Sequence, residues 1–241
     1  FPADSAGTSS YNRGFFCSRS GKGCAMPAVT LAGRETTVSN IFCIGRNYAA
    51  HVAELGNRPE PEPLVFLKPS SALLGDGGAI RLPAYSQDVH HETEVVLLVG
   101  RDARDVSEAD ALAVIAGYGI GLDLTARDTQ SELKAKGMPW TKAKGFATAA
   151  CVSAFVPATA VSQPSALDFS LTVNGALRQQ GNTGMMLFPI PFLISFLSRH
   201  YGLTAGDLIY TGTPEGVARL QSGDQLQLDL HGQVSARFTV A

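Results

Sequence analysis

The stretch Asp88-Val-His90-His91-Glu92-Thr-Glu94-Val-Val-Leu-Leu-Val99 decides how the chain is read. Val95 to Val99 is an apolar, β-branched run closed by Gly100, the pattern of a strand that enters a core. Residues two apart on a strand share a face, so Glu92 and Glu94 stand side by side at its mouth. Two adjacent carboxylates beside apolar residues repel each other and lose hydration, and no Lys or Arg lies between Ser86 and Gly100 to offset this locally. A bound cation resolves the conflict. Solvent exposure on an edge strand is the alternative resolution.

Working outward, Tyr118-Gly-Ile-Gly-Leu-Asp123 is a small, apolar strand that carries a carboxylate where Asp is disfavoured. Asp123 reads either as a cap for the helix that follows or as the third member of a carboxylate triad with Glu92 and Glu94. Three carboxylates with no Cys or assigned His ligand select a hard cation, Mg²⁺ or Mn²⁺, rather than zinc. Upstream, Ile41–Ile44 is a short strand, and Asn47 and Gly56 bracket a helix on which His51 and Glu54 stand three apart on one face. A His oriented by a carboxylate suits a general base, although surface pairs of this spacing are common. Residues 57–64 hold three prolines at alternate positions and form an extended loop. Leu64 to Lys68 is a strand stopped by Pro69, with Lys68 placed to meet an anion or solvent.

The rest of the chain supplies frame. Ser107 caps a helix that has Asp110 in its first turn, Ala111, Leu112 and Ile115 on its buried side, and Gly117 at its end. Residues 127–136 form a second helix, ended by Gly137 and Pro139, and Lys144 before Gly145 has open access to an anion. Asn174-Gly175 after alternating Phe169, Leu171 and Val173 is a hairpin signal, Phe192 to Leu197 has helical spacing, and Leu226 to Val240 closes as a hairpin. Thr211-Gly-Thr213 ends a strand with a loop able to hold a carboxylate.

With 241 residues, 45% hydrophobic and 17% charged, the chain has the composition of an ordinary globular protein. Its 19 Lys and Arg are scattered among 21 Asp and Glu, which gives no electrostatic footprint for nucleic acid, and no apolar run is long enough for a membrane helix. Cys17, Cys24, Cys43 and Cys151 form no CxxC pair, so buried reduced thiols and a cytoplasmic setting are expected. Residues 1–28 read as an N-terminal extension, mobile or peripherally packed, without a signal-peptide pattern, and residues 29–241 as one catalytic domain.

Taken together, IFCIGRNYAAHVAELG (41–56), FLKPSSAL (66–73), HHETEVVLLVG (90–100), GYGIGLDLTARD (117–128), KGMPWTKAKGF (136–146), QQGNTGMM (179–186) and TGTPEGV (211–217) resemble the fumarylacetoacetate hydrolase family in residues and in order. The resemblance implies an α+β, strand-rich fold, a mixed β-sheet roll with short peripheral helices, and a homodimer. It implies Mg²⁺ or Mn²⁺ on Glu92, Glu94 and Asp123, a lid pair His51–Glu54, and an active-site Lys144. Arg46, Tyr48, Lys68, Arg127, Gln130 and Thr213 fall in its substrate-binding motifs, whereas Gly145 stands where many relatives have Ser. The activity placed first is hydrolysis of the C–C bond of acylpyruvates (2,4-dioxo acids) through a metal-stabilised pyruvate enolate, with His51 activating water. Oxaloacetate decarboxylation, 2-hydroxyhepta-2,4-diene-1,7-dioate isomerisation and a non-catalytic metal-binding or scaffold role are the alternatives.

Overall fold

Thr93–Val99 is buried at all seven positions, and it lies in the middle of the larger sheet. In the computed structural model, which describes residues 26–56, 58 and 60–241, that sheet has eight strands. Its order is Leu64–Lys68, Ile41–Gly45, Leu208–Tyr210, Thr93–Val99, Ile115–Asp123, Ala150–Val152 and Leu73–Gly75, with Val156–Pro157 also on Ile115–Asp123. The sheet is mixed: Ile41–Gly45 runs parallel to Leu208–Tyr210, whereas Thr93–Val99 is antiparallel to both of its neighbours. Burial on both faces explains why Val95 to Val99 reads as an unbroken apolar run rather than an alternating one.

A second sheet of five strands, ordered Ala176–Asn182, Asp168–Val173, Gln225–Leu230, Val234–Val240 and Ala79–Ile80, curls over the first. Its inward residues Phe169, Leu171, Leu228 and Phe238 share one apolar core with Val95, Leu97, Ile120 and Leu122. Here one face is wet, and the strands alternate as the sequence does. Asn174 (φ 53°) and Gly175 (φ 79°) make the left-handed turn expected of the hairpin. The fold is thus the strand-rich α+β roll, with short helices at Ala49–Glu54, Arg127–Ala135, Thr141–Lys144 and Ile190–His200 around it. Among the described residues no helix is long and apolar enough to cross a membrane. The expectations for residues 1–24, including Cys17 and Cys24, lie outside the described residues; among the described residues the first strand, Ala28–Leu31, pairs with Arg34–Thr37.

Three local expectations are corrected. Asn47 does not cap the helix: it is fully buried, donates to the carbonyls of Phe188 (2.9 Å) and Thr211 (3.0 Å), and accepts from Phe188 N–H (2.7 Å). Its side chain ties three distant segments, which outweighs a single capping bond. Ser107 does cap, but the element Glu108–Val114 is 3₁₀, Leu112 is 40% exposed, and Gly117 does not end it. Ile115 leaves the helix extended because it pairs with Val99, and Gly117 is inside that strand. Asp123 is the last residue of the same strand, and the helix Arg127–Ala135 begins without a side-chain cap.

Gly121 shows why this strand is glycine-rich. A Cβ there would stand 2.9 Å from the ring of Tyr210, 3.0 Å from Val96, and against the carbonyl of Cys151, to which Tyr210 Oη donates (2.8 Å). Gly121→Ala should therefore destabilise the protein by about 2–3 kcal/mol, as expected for an overfilled core, measured by urea unfolding.

Candidate metal centre and active-site cleft

Strand pairing brings the three carboxylates together. Asp123 N–H donates to the carbonyl of Glu92 (2.9 Å), and Glu94, two residues on, is opposite Gly121, which has no side chain to compete for space. Glu92, Glu94 and Asp123 are 5%, 1% and 1% exposed, and one oxygen from each lies within 4.8 Å of the others.

The positive charge missing from the local sequence arrives from elsewhere. Lys144 Nζ bridges Glu92 Oε2 (2.8 Å) and Asp123 Oδ2 (2.7 Å), and Arg127 pairs with Glu92 Oε1. Lys68 Nζ is 2.7 Å from Asp123 Oδ1, an ion pair without hydrogen-bond geometry, and donates to the carbonyls of Leu124 (3.1 Å) and Lys144. Burial works against the Glu92 carboxylate, yet Lys144 and Arg127 outweigh it and hold the group well below the usual range. Burial also disfavours the Lys144 ammonium, and Asp123 and Glu92 outweigh that and push it up.

Glu94 is different. Among the described residues it has no ion-pair partner, only the Gly212 N–H at 2.7 Å. Burial, then the charges of Asp123 and Glu92, push its carboxyl well above the usual range. A desolvated carboxylate beside two others is the charge that a divalent cation offsets, and an all-oxygen donor set suits a hard ion. Glu92, Glu94 and Asp123 thus form a site for a divalent cation of the Mg²⁺ or Mn²⁺ type.

The cleft over this site is lined by Arg46, His51, Glu92, Glu94, Arg127, Gln130, Lys144 and Thr213, which the sequence singled out, together with Phe66, Lys134 and Trp140, which it did not. His51 is 5% exposed on the helix Ala49–Glu54. Its Nδ1 is 3.2 Å from Glu54 Oε2, while Glu54 Oε1 accepts from Gly216 N–H (2.9 Å). With Nδ1–H donating to Glu54, Nε2 is the nitrogen left to act as a base. Arg46, in the left-handed region at φ 64°, leaves its strand toward the cleft and pairs with Glu60 of the proline-rich loop. Arg127 also donates to Gln130 Oε1 (2.8 Å).

Two residues expected to bind substrate do not line the cleft. Lys68 is 2% exposed and lies against Asp123, in the interior. Tyr48 is 1% exposed, with its ring edge-on to Phe169 at 6.3 Å. Gln179, in contrast, belongs to the QQGNTGMM motif without a sequence-assigned role, and it is buried within reach of the site, donating to Thr213 Oγ1 (2.8 Å). A polar residue at an inward position of a strand was the available signal.

A family model described as fumarylacetoacetate (FAA) hydrolase, C-terminal, matches residues 40–241. The chain belongs to this family. Within it, the chain is 47% identical over 201 residues to the mitochondrial oxaloacetate tautomerase FAHD1 of Homo sapiens, covering 83% of this chain and 91% of the relative. The corresponding protein of Arabidopsis thaliana is 45% identical over 202 residues, covering 84% and 91%. Among solved structures, fumarylpyruvate hydrolase from Pseudomonas aeruginosa in complex with Mn²⁺ and pyruvate superposes with a TM-score of 0.86 at 32% identity, covering 91% of this chain and 98% of that one.

Glu94→Ala should weaken Mg²⁺ binding at least about tenfold in calorimetric titration, as loss of one of three carboxylate ligands implies. The raised Glu94 carboxyl gives a second readout. Just above the ordinary glutamate range the folded, metal-free protein holds a proton that the unfolded chain has lost, so its stability falls as pH rises there, and Mg²⁺ binding releases that proton. Titrations in buffers of different ionisation enthalpy measure the release.

Proposed function

We propose that this protein is a divalent-metal-dependent enzyme of the fumarylacetoacetate hydrolase family whose substrate is oxaloacetate, which it interconverts between keto and enol forms. The observation that carries this reading is the cationic wall of the cleft. Arg46, Arg127 and Lys134 converge on it, closely enough that, after desolvation, the charges of Arg46 and Arg127 are what push the Lys134 ammonium down. Arg46 is held there by Glu60 of the proline-rich loop and Arg127 by Glu92, groups that a second substrate carboxylate joins, whereas a neutral acyl end, as in a simple acylpyruvate, makes no use of them. The tautomerase relatives support the same substrate. Oxaloacetate therefore replaces acylpyruvates as the first choice of substrate, and decarboxylation, which shares it, becomes the second activity.

When bound by Glu92, Glu94 and Asp123, the cation supplies electrostatic stabilisation of negative charge developing on the 2-oxo oxygen. His51 Nε2 takes the proton from C3 of the keto form, and Glu54 holds the imidazolium that results. A proton returned to the 2-oxo oxygen completes the enol, so one C–H bond is exchanged for one O–H bond. Lys144, fixed by Glu92 and Asp123, adds a further positive charge beside the reacting oxygen, and Arg46 and Lys134 receive the distal carboxylate.

Hydrolysis is the competing reading. It uses the same His51–Glu54 pair to activate water, and the Pseudomonas fumarylpyruvate hydrolase supports it. A homodimer remains part of the proposal. The cytoplasmic setting rested on reduced thiols; Cys43 and Cys151 are buried, which shields a thiol in any compartment, and the tautomerases named above are mitochondrial.

His51→Ala should lower kcat for oxaloacetate tautomerisation about a hundredfold or more, followed by the ultraviolet absorbance of the enol. Arg46→Gln should raise KM for oxaloacetate about tenfold while changing acetylpyruvate turnover little. Wild-type protein that cleaves acetylpyruvate readily and leaves the oxaloacetate enol untouched would return the hydrolase to first place.

A further inference from the structure

The buried side chain of Gln179 grips both the Glu92–Glu94 segment and the loop facing it. It lies on Ala176–Asn182, whose register with Asp168–Val173 shifts between Leu171 and Thr172. Leu171 is opposite Gln179 and Thr172 opposite Leu177, so Arg178 is the extra residue of a bulge that turns Gln179 inward. At 1% exposure its amide is fully used. Oε1 accepts from Thr93 N–H (3.0 Å) and from His91 Nδ1 (2.9 Å), and Nε2 donates to Thr213 Oγ1 (2.8 Å) and the carbonyl of Pro214 (3.0 Å). Thr93 N–H can only donate and the Pro214 carbonyl can only accept, so these two contacts fix which end of the amide is which.

That orientation has a chemical consequence at Thr213. Its Oγ1 receives a hydrogen from Gln179, so its own O–H is left to donate elsewhere, and Thr213 lines the cleft. The loop so held also presents Gly212 N–H to Glu94 (2.7 Å) and Gly216 N–H to Glu54 (2.9 Å), on either side of the gripped Thr213 and Pro214. On its other end the amide holds Thr93, between Glu92 and Glu94.

We propose that Gln179 is a positioning residue: it holds the hydroxyl of Thr213 as a hydrogen-bond donor toward the bound 2-oxo acid and locks the 211–217 loop against the Glu92–Glu94 strand. The proposal rests on the cleft binding a 2-oxo acid, but not on which reaction follows. Gln179→Glu is the informative variant. A carboxylate keeps both accepting bonds, to Thr93 and His91, and loses both donating ones, and it draws the Thr213 hydroxyl hydrogen toward itself, away from the cleft.

Two measurements test this. In metal-free protein, hydrogen exchange at the Gly212 and Gly216 amides should be about tenfold or more faster in Gln179→Glu than in wild type, while exchange in Val96–Leu98 is unchanged. In Mg²⁺-loaded protein, calorimetry with pyruvate should give about tenfold weaker binding in Gln179→Glu and in Thr213→Val, and a double variant no weaker than the weaker single one. Exchange at wild-type rates, or losses in pyruvate affinity that multiply in the double variant, would overturn the proposal. If wild type fails to turn over oxaloacetate yet the pyruvate series behaves as described, the oxaloacetate reading fails and the role of Gln179 stands.

Discussion

Three carboxylates packed within 4.8 Å in a buried site are a conflict that the whole molecule is arranged to contain. Their mutual repulsion and lost hydration cannot be relieved by water, so charge must be imported. Lys68 comes from the end of an edge strand, Lys144 from a four-residue helix, and Arg127 from the first turn of another helix. Each must be delivered to within bonding distance of an acid, and the strand order of the larger sheet is what delivers them. The remaining acid, Glu94, is answered by a backbone N–H, a weaker partner than a full positive charge, which leaves it the member most in need of a metal ion.

Such a site is costly to leave half built. Removing Lys144 would leave Glu92 and Asp123 with one cationic partner each in a buried site, whereas removing an exposed pair such as Arg199–Asp105 should matter little. Small residues share the work. Gly121 admits Tyr210, which reaches it from the strand on the far side of Thr93–Val99, and Gly212 (φ 102°) adopts a backbone conformation closed to most side chains while a Cβ there would meet Asn47. The glycines of both motifs therefore answer to the close approach of chain segments around the carboxylates.

What was legible in the sequence was local or periodic. The strand at Val95–Val99, the Asn174–Gly175 hairpin and the Ser107 cap all follow from rules that reach only a few residues, and each is present. The carboxylate triad was legible because unpaired acids beside an apolar run demand an explanation. The partners of those acids were not, since Lys68 and Lys144 look like ordinary solvated cations until the sheet is assembled. Asn47 was misread for the same reason: a cap is a local signal, while Phe188 and Thr211 are more than a hundred residues away. Gln179 carried no charge and no metal-ligand chemistry, so nothing short of the fold could show that its amide meets two segments at once.

The charge gathered at the site also bears on how the cleft takes up its ligands. Before a metal binds, Glu94 holds its proton and Lys68, Lys144 and Arg127 face two carboxylates, which leaves one surplus positive charge. Loading a divalent ion converts the same pocket to a site with two surplus positive charges, the complement of a doubly charged dicarboxylate. Occupancy by the ion and occupancy by the organic anion are then linked: each raises affinity for the other by the same factor.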